Sequence, residues 1–334
     1  MELGVVVGGD LTGIGDLARR AEDAGYESLW VAETARSAFV QAAVAGAATE
    51  RVTVGTAIAL AFPRSPAIAA MAARDLSELT AGRFVLGLGS QVKRVNEHRF
   101  GVPFEHPAPK MREYLLAVRA VLGSFGGAVQ PFEGEFYRIT MAPFPGAGPA
   151  PGPVPIYLAA VNERMCEVAG EVADGVHGHP LNSPRYLAEV VRPAVARGSA
   201  RAGREPADVS ITTNVIVQLS ADREAARREA AMQLAFYATT RTYAPVLAFH
   251  GHEERIGPLR RAFVEEDWER MAELALPMVD DLAIAGDADE CRERLAAYSG
   301  AADRVVLGGA WVGPSPDRVA DNYRRILETL GPAS

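Results

Sequence analysis

The sequence predicts a (β/α)8 barrel with insertions at its C-terminal mouth. Eight short apolar strands alternate with helices along 334 residues. Most connections are short, and the strands end in small or polar residues. That alternation means a parallel sheet wrapped by helices, and eight strands is the number that closes a barrel. An open doubly wound sheet is the alternative for the same pattern. The strand at 84–88, Phe-Val-Leu-Gly-Leu, is wholly apolar, as suits a parallel strand covered on both faces. Gly87 and Gly89 leave its C-terminal end bare, so a bulky ligand could lie against the backbone, with Ser90 and Gln91 as polar neighbours. The same glycines would also simply ease a strand-to-loop turn.

In order, a strand at 3–7 closes with Gly8-Gly9-Asp10, and a helix at 16–24 stops at Gly25. A strand at 28–31 ends at Glu33-Thr34, a helix follows at 39–48, a strand at 52–58, and a helix at 66–79. After Gln91 the rhythm breaks. Residues 92–110 are a polar excursion, 111–122 a helix, and 123–153 an insertion rich in Gly, Pro and Phe with a hairpin at 132–137. Connections of that length are usually lids or binding loops. Phe132, Phe136, Tyr137 and Phe144 suit either an aromatic lid or a small satellite core. Strands at 155–160, 175–177, 209–219 and 303–308 complete the eight, with helices at 162–173, 184–202, 222–237, 287–298 and 316–330. A mostly helical insertion at 239–281 holds Phe249-His250-Gly251-His252. No linker or repeat divides the chain, so we expect one domain over 1–334.

A net charge of −8 argues against a nucleic-acid partner. Two cysteines, 166 and 291, without metal-ligand spacing exclude a disulfide framework. No apolar run reaches membrane-spanning length and no leader pattern opens the chain, so a cytoplasmic protein without a membrane partner is expected. Neither a Gly-x-Ser-x-Gly elbow nor a phosphate loop ending in Gly-Lys-Ser/Thr occurs. His177 and His179 could share one face of a strand, but no carboxylate cluster accompanies them, and no metal is expected. Ala159-Ala160-Val161-Asn162 leads into a helix whose first N–H groups are free, a ready anion site; Asn162 also serves as an ordinary N-cap.

Four segments carry a resemblance. Residues 21–33 (Ala-Glu-Asp-Ala-Gly-Tyr-Glu-Ser-Leu-Trp-Val-Ala-Glu), 48–58, 79–89 (Leu-Thr-Ala-Gly-Arg-Phe-Val-Leu-Gly-Leu-Gly) and 169–175 resemble, in order, segments of the bacterial luciferase-like flavin and deazaflavin oxidoreductases. Residues 89–93, 106–114 and 134–137 look like an actinobacterial subgroup assigned to coenzyme F-420. The resemblance implies a luciferase-like barrel with the coenzyme at its C-terminal mouth. Thr56, Ala57 and Ile58 match a bulge after the third strand, with a non-prolyl cis peptide at Ala57–Ile58. Gly89, Ser90 and Gln91 match the ring and ribityl contacts, and Ala159, Ala160, Val161 and Asn162 the phosphate turn. Glu33 matches an acidic position beside the ring, and His179 a position facing the substrate. Sugar-phosphate dehydrogenases of the family carry a catalytic His where this chain has Thr34, which cannot act as a general base near neutral pH; His179 is the replacement proton donor. Lys93 and Arg94 lie where they could neutralise an anionic coenzyme tail, or be solvated surface charge.

The implied function is hydride transfer between deazaflavin C5 and a small organic substrate, in the direction of reducing an activated C=C or C=N bond. The alternatives are an FMN-dependent luciferase-like monooxygenase and a non-catalytic ligand-binding member of the fold. The family also implies a homodimer through helices of the barrel's early half.

Overall fold

A computed structural model describes residues 1–142, 146 and 148–332. Eight parallel strands close on themselves: β1 (Glu2–Val6), β2 (Ser28–Val31), β3 (Thr53–Thr56), β4 (Phe84–Gly89), β5 (Ile156–Ala160), β6 (Gly175–Gly178), β7 (Ser210–Leu219) and β8 (Arg304–Gly308). The last pairs with the first, Gly4 lying beside Val306, so the expected (β/α)8 barrel has no open edge. Outward-facing Leu29, Val54, Phe84, Leu86, Ile156 and Val305 are almost wholly buried against the surrounding helices.

The interior is a separate cluster of Trp30, Val85, Tyr157 and Val306. Two aromatic rings, 6.0 Å apart, do the filling, rather than layers of branched aliphatics. Glycines make room for them. A β-carbon on Gly55 would fall 2.4 Å from the Trp30 ring, and one on Gly175 2.7 Å from Tyr157. The Trp30 indole N–H donates to Ser28 Oγ at 2.9 Å, which satisfies its polar end as burial requires.

Carboxylates lock the N-terminal end of the barrel. Glu27 accepts from the N–H of Leu3, Asp174 from Ile156 and Asp303 from Ile211, at 2.6 to 2.8 Å. Glu22 accepts from the N–H groups of Glu50, Arg51 and Val52. Burial would raise its pKa, but these bonds outweigh that and hold it below the usual carboxylate value. Arg83 clasps the same turn from the other side through the carbonyls of Thr49 and Val52. Glu22, Arg83 and Asp174 all come from the family-like segments, and all act at the face that supports stability.

Three elements differ from expectation. The strand expected over 52–58 ends at Thr56 and resumes as the two-residue strand Ala59–Leu60 alongside Leu88 and Gly89. Thr56 causes the break, because its hydroxyl takes the place of a backbone partner: Oγ1 donates to the Gly87 carbonyl (2.6 Å) and accepts the Gly87 N–H (2.9 Å). A strand not foreseen, Ile284–Gly286, lies parallel beside the C-terminal end of β7. The hairpin pairs Phe132–Glu133 with Arg138–Ile139, and Glu113 on the helix Pro107–Ser124 accepts the N–H groups of Glu135 and Phe136. Tyr137 meets Tyr114 edge-on at 5.5 Å, so this insertion makes a satellite core rather than an open lid; Phe144 lies outside the described residues.

Candidate active site

The C-terminal mouth is where this fold concentrates its unusual residues. Above the Trp30–Tyr157 layer the end of β4 carries no side chain at Gly87 and Gly89. A β-carbon on Gly89 would fall 2.8 Å from Ile58 Cδ1 and 3.0 Å from Ala159 Cβ, so β4, the Ala57–Ile58 bulge and β5 converge on one narrow shelf. The Ala57–Ile58 peptide is cis. Thr56 is fully buried, its hydroxyl committed to Gly87. Ser90 Oγ faces the Gln91 carbonyl at 3.2 Å. Gln91 is left-handed (φ +58°), its side-chain oxygen capping the N–H of Val92. Asn96, unremarked in the sequence, fixes this turn by donating to the carbonyls of Ser90 and Val92.

Glu33 is tied down. Its side chain is only 7% exposed and forms a two-pronged ion pair with Arg64, one arm at 2.6 Å. It also accepts the N–H of Leu60 at 2.8 Å. The carboxylate therefore pins the strap that carries the bulge. Sequence alone did not single out Arg64, since an arginine in a Pro-Arg-Ser turn reads as surface charge. Thr34 gives its carbonyl to Arg99, and the residue lines a cleft at the ends of β1 and β2.

At β5, Asn162 caps the helix Glu163–Val172, its side chain accepting the N–H of Met165. Ala160 is buried, while Ala159, Val161 and Asn162 are partly open. The Val161 carbonyl is held by the Tyr186 hydroxyl at 3.0 Å. Lys93 stands apart: it is 68% exposed, on the helix Lys93–Arg99, facing Glu97 at 3.7 Å.

His179 lies across the mouth, stacked on Tyr243 at 4.1 Å and met edge-on by Tyr237 at 4.6 Å. Its Nδ1 accepts the N–H of Leu181, which leaves Nε2 carrying the proton. Desolvation lowers its pKa to about 3, so at neutral pH it presents a neutral N–H and not an imidazolium. The two tyrosines come from the long helix before the third insertion and from the insertion itself, whose side chains no sequence pattern could dock.

His177, one step back on β6, is a core residue, 4.8 Å from Trp30 and 3.2 Å from Asn214 Oδ1. Desolvation lowers its pKa to about 4, with Arg304 adding to the shift and Asn214 opposing it. The unfolded chain takes up a proton near 6.5 and the folded chain does not, so stability falls as pH drops from 6.5 towards 4. We expect a loss of up to about 1.4 kcal/mol per pH unit from this one group. Denaturant midpoints measured stepwise into acid should show that slope, and His177→Gln should reduce it without abolishing it, since His179 is shifted the same way; a parallel slope in the variant would sink the assignment. Among the described residues no cluster of three or more metal-ligating side chains occurs.

A family model described as luciferase-like monooxygenase matches residues 3–305. The protein belongs to that family. This luciferase-like protein is 40% identical over 299 residues to an uncharacterized protein of Mycobacterium tuberculosis, covering 87% of this chain and 88% of that one. It is 29% identical over 305 residues to 5,10-methylenetetrahydromethanopterin reductase of Archaeoglobus fulgidus, covering 88% of each. Its fold superposes on the coenzyme F-420-dependent tetrahydromethanopterin reductase of Methanopyrus kandleri with a TM-score of 0.82 at 22% identity, over 98% and 97% of the two chains. The luciferase-like protein is thus an oxidoreductase of this family. No helix among its described residues is long and apolar enough to cross a membrane.

Proposed function

We propose that the protein is a coenzyme F-420-dependent oxidoreductase that moves a hydride between the deazaflavin C5 and a small organic substrate, reducing an activated C=C or C=N bond. One observation carries the reading: the narrow apolar shelf where Gly89, Ala159 and the Ile58 side chain converge lies beside the N-terminus of the helix Glu163–Val172. Flat ring and phosphate would then each meet what they need, an apolar surface with no long side chain but Ile58 and the first backbone N–H groups of a helix. The Archaeoglobus relative, a reductase over nearly the whole chain, supports the direction.

The deazaflavin would supply the hydride chemistry, and the protein binding, orientation and hydrogen bonds. Ala57, Ile58, Gly89 and Ala159 would support the ring. Ser90 and Gln91 would face its polar edge or side chain. The Ala160–Val161–Asn162 turn would hold the phosphate, and Lys93 would attract the anionic tail. Glu33 acts as a positioning residue, since Arg64 and Leu60 occupy its carboxylate. His179 would polarise a substrate acceptor atom through its neutral Nε2–H, and Thr34 would contact the substrate without acting as a base. Val40, Ile68, Met71 and Leu79, exposed on the helices Ala38–Ala47 and Pro66–Leu79, offer a face for the homodimer the family implies.

Titration of the purified protein with F-420 and with FMN, followed by ligand fluorescence, tests this. We expect micromolar or tighter F-420 binding. Asn162→Ala should weaken it and cost about 1 kcal/mol of stability through the lost cap. Preference for FMN would move the assignment to a monooxygenase, and binding of neither would leave a ligand-binding fold without this chemistry.

A further inference from the structure

We propose that the cleft at the C-terminal ends of β1 and β2 holds the substrate, and that Gln41 selects a neutral substrate group bearing an N–H or O–H donor, a secondary amide or lactam being the simplest example. That the occupant is a substrate rests on the hydride-transfer reading; the donor-selective pocket does not.

The cleft has a volume of about 210 Å³ and is walled by Gly8, Gly9, Thr34, Ala35, Arg36 and Gln41. Gln41 sits on the helix Ala38–Ala47 and is 4% exposed. Its amide nitrogen donates to two carbonyls, Ala32 at 2.9 Å and Ser37 at 3.3 Å. Two acceptors on one side fix the orientation of the amide, because a flipped group would set oxygen against oxygen. The carbonyl oxygen, Oε1, is therefore turned the other way, towards Gly8, where a β-carbon would stand 3.9 Å from it. Oε1 has no hydrogen-bond partner among the described residues and is not among the sealed, unpartnered atoms; it opens on the cleft.

This arrangement specifies a ligand class. A nearly buried acceptor on a locked amide rewards a donor and penalises a group that leaves it unpaired. Arg36 at the rim is the one charged residue of the wall, and it already faces Asp10 at 3.7 Å. Gly8 and Gly9 keep the floor free of side chains.

The probes are 2-pyrrolidinone, which has one N–H, and N-methyl-2-pyrrolidinone, which has none, bound to the full-length protein and followed by saturation-transfer NMR. We expect the first to bind about tenfold more tightly, the worth of one well-made hydrogen bond. Gln41→Met should erase the preference. Gly8→Val should block both lactams by filling the cleft, and it leaves the Gln41 anchors untouched. Equal binding of the two lactams, no binding of either, or undiminished binding to Gly8→Val would overturn the proposal. F-420 titrated into the wild-type sample separates the two readings. Donor selectivity without F-420 binding keeps the pocket and removes the coenzyme; F-420 binding without donor selectivity does the reverse.

Discussion

Gly87→Ala should leave little folded protein. The added β-carbon would stand 1.8 Å from the Thr56 carbonyl oxygen, closer than any non-bonded pair tolerates. No flexible side chain can yield, because the obstacle is backbone. Relief requires β3 to move off β4, and that breaks both hydrogen bonds of the Thr56 hydroxyl to Gly87. We expect a loss of more than about 4 kcal/mol, in the range reserved for strain and broken buried networks. Gly203→Ala is not an adequate control, since Gly203 is itself left-handed (φ +65°); Gly152, with open space around it and no positive φ, is. Urea unfolding of Gly87→Ala beside Gly152→Ala decides the matter, and similar midpoints for the two would show that the close approach of Gly87 to Thr56 is not essential.

Arg64→Met should be the next most damaging change near the mouth. It removes the partner of a carboxylate that is 7% exposed and leaves it with the Leu60 N–H. Breaking one side of a buried pair costs roughly 3–5 kcal/mol, mostly because the remaining charge stays desolvated. The double variant Glu33→Gln/Arg64→Met should recover much of that, since no bare charge remains. Coenzyme affinity should follow the same order, because the strap from Ala57 to Leu60 carries one wall of the shelf. A double variant no more stable than Arg64→Met would show that the ion pair is not what holds the strap.

The fold was legible because its signal is periodic: apolar runs of strand length, each closed by glycine or a polar pair, alternating with helical stretches. The shelf was legible for a related reason, since Gly87, Gly89, Ala159 and Ala160 announce missing side chains directly. Side-chain partnerships across the chain were not. Glu33 stands out in sequence, but its ion pair with Arg64, 31 residues on, does not. Gln41 is a polar residue in an alanine-rich helix, and nothing local says which end of its amide is free. His179 was found as a candidate, but its neutral state depends on burial among Tyr237, Tyr243 and the Leu181 N–H. Thr56 broke a strand that its neighbours favoured, because one hydroxyl took over a backbone pairing.

The two-aromatic filling of the barrel bears on how this sequence can change over generations. Trp30 and Tyr157 fit only because Gly55 and Gly175 vacate the space their rings occupy. Shrinking either ring would open a void, and enlarging either glycine first would collide with the ring. Each such change is harmful alone, and a glycine can enlarge only after its ring has shrunk, so the interior can drift only through paired, order-dependent steps. Exchange of whole strands between relatives would separate Trp30 on β2 from Gly55 on β3, or Tyr157 on β5 from Gly175 on β6, and chimaeras cut at either boundary should fail more often than chimaeras cut elsewhere in the barrel.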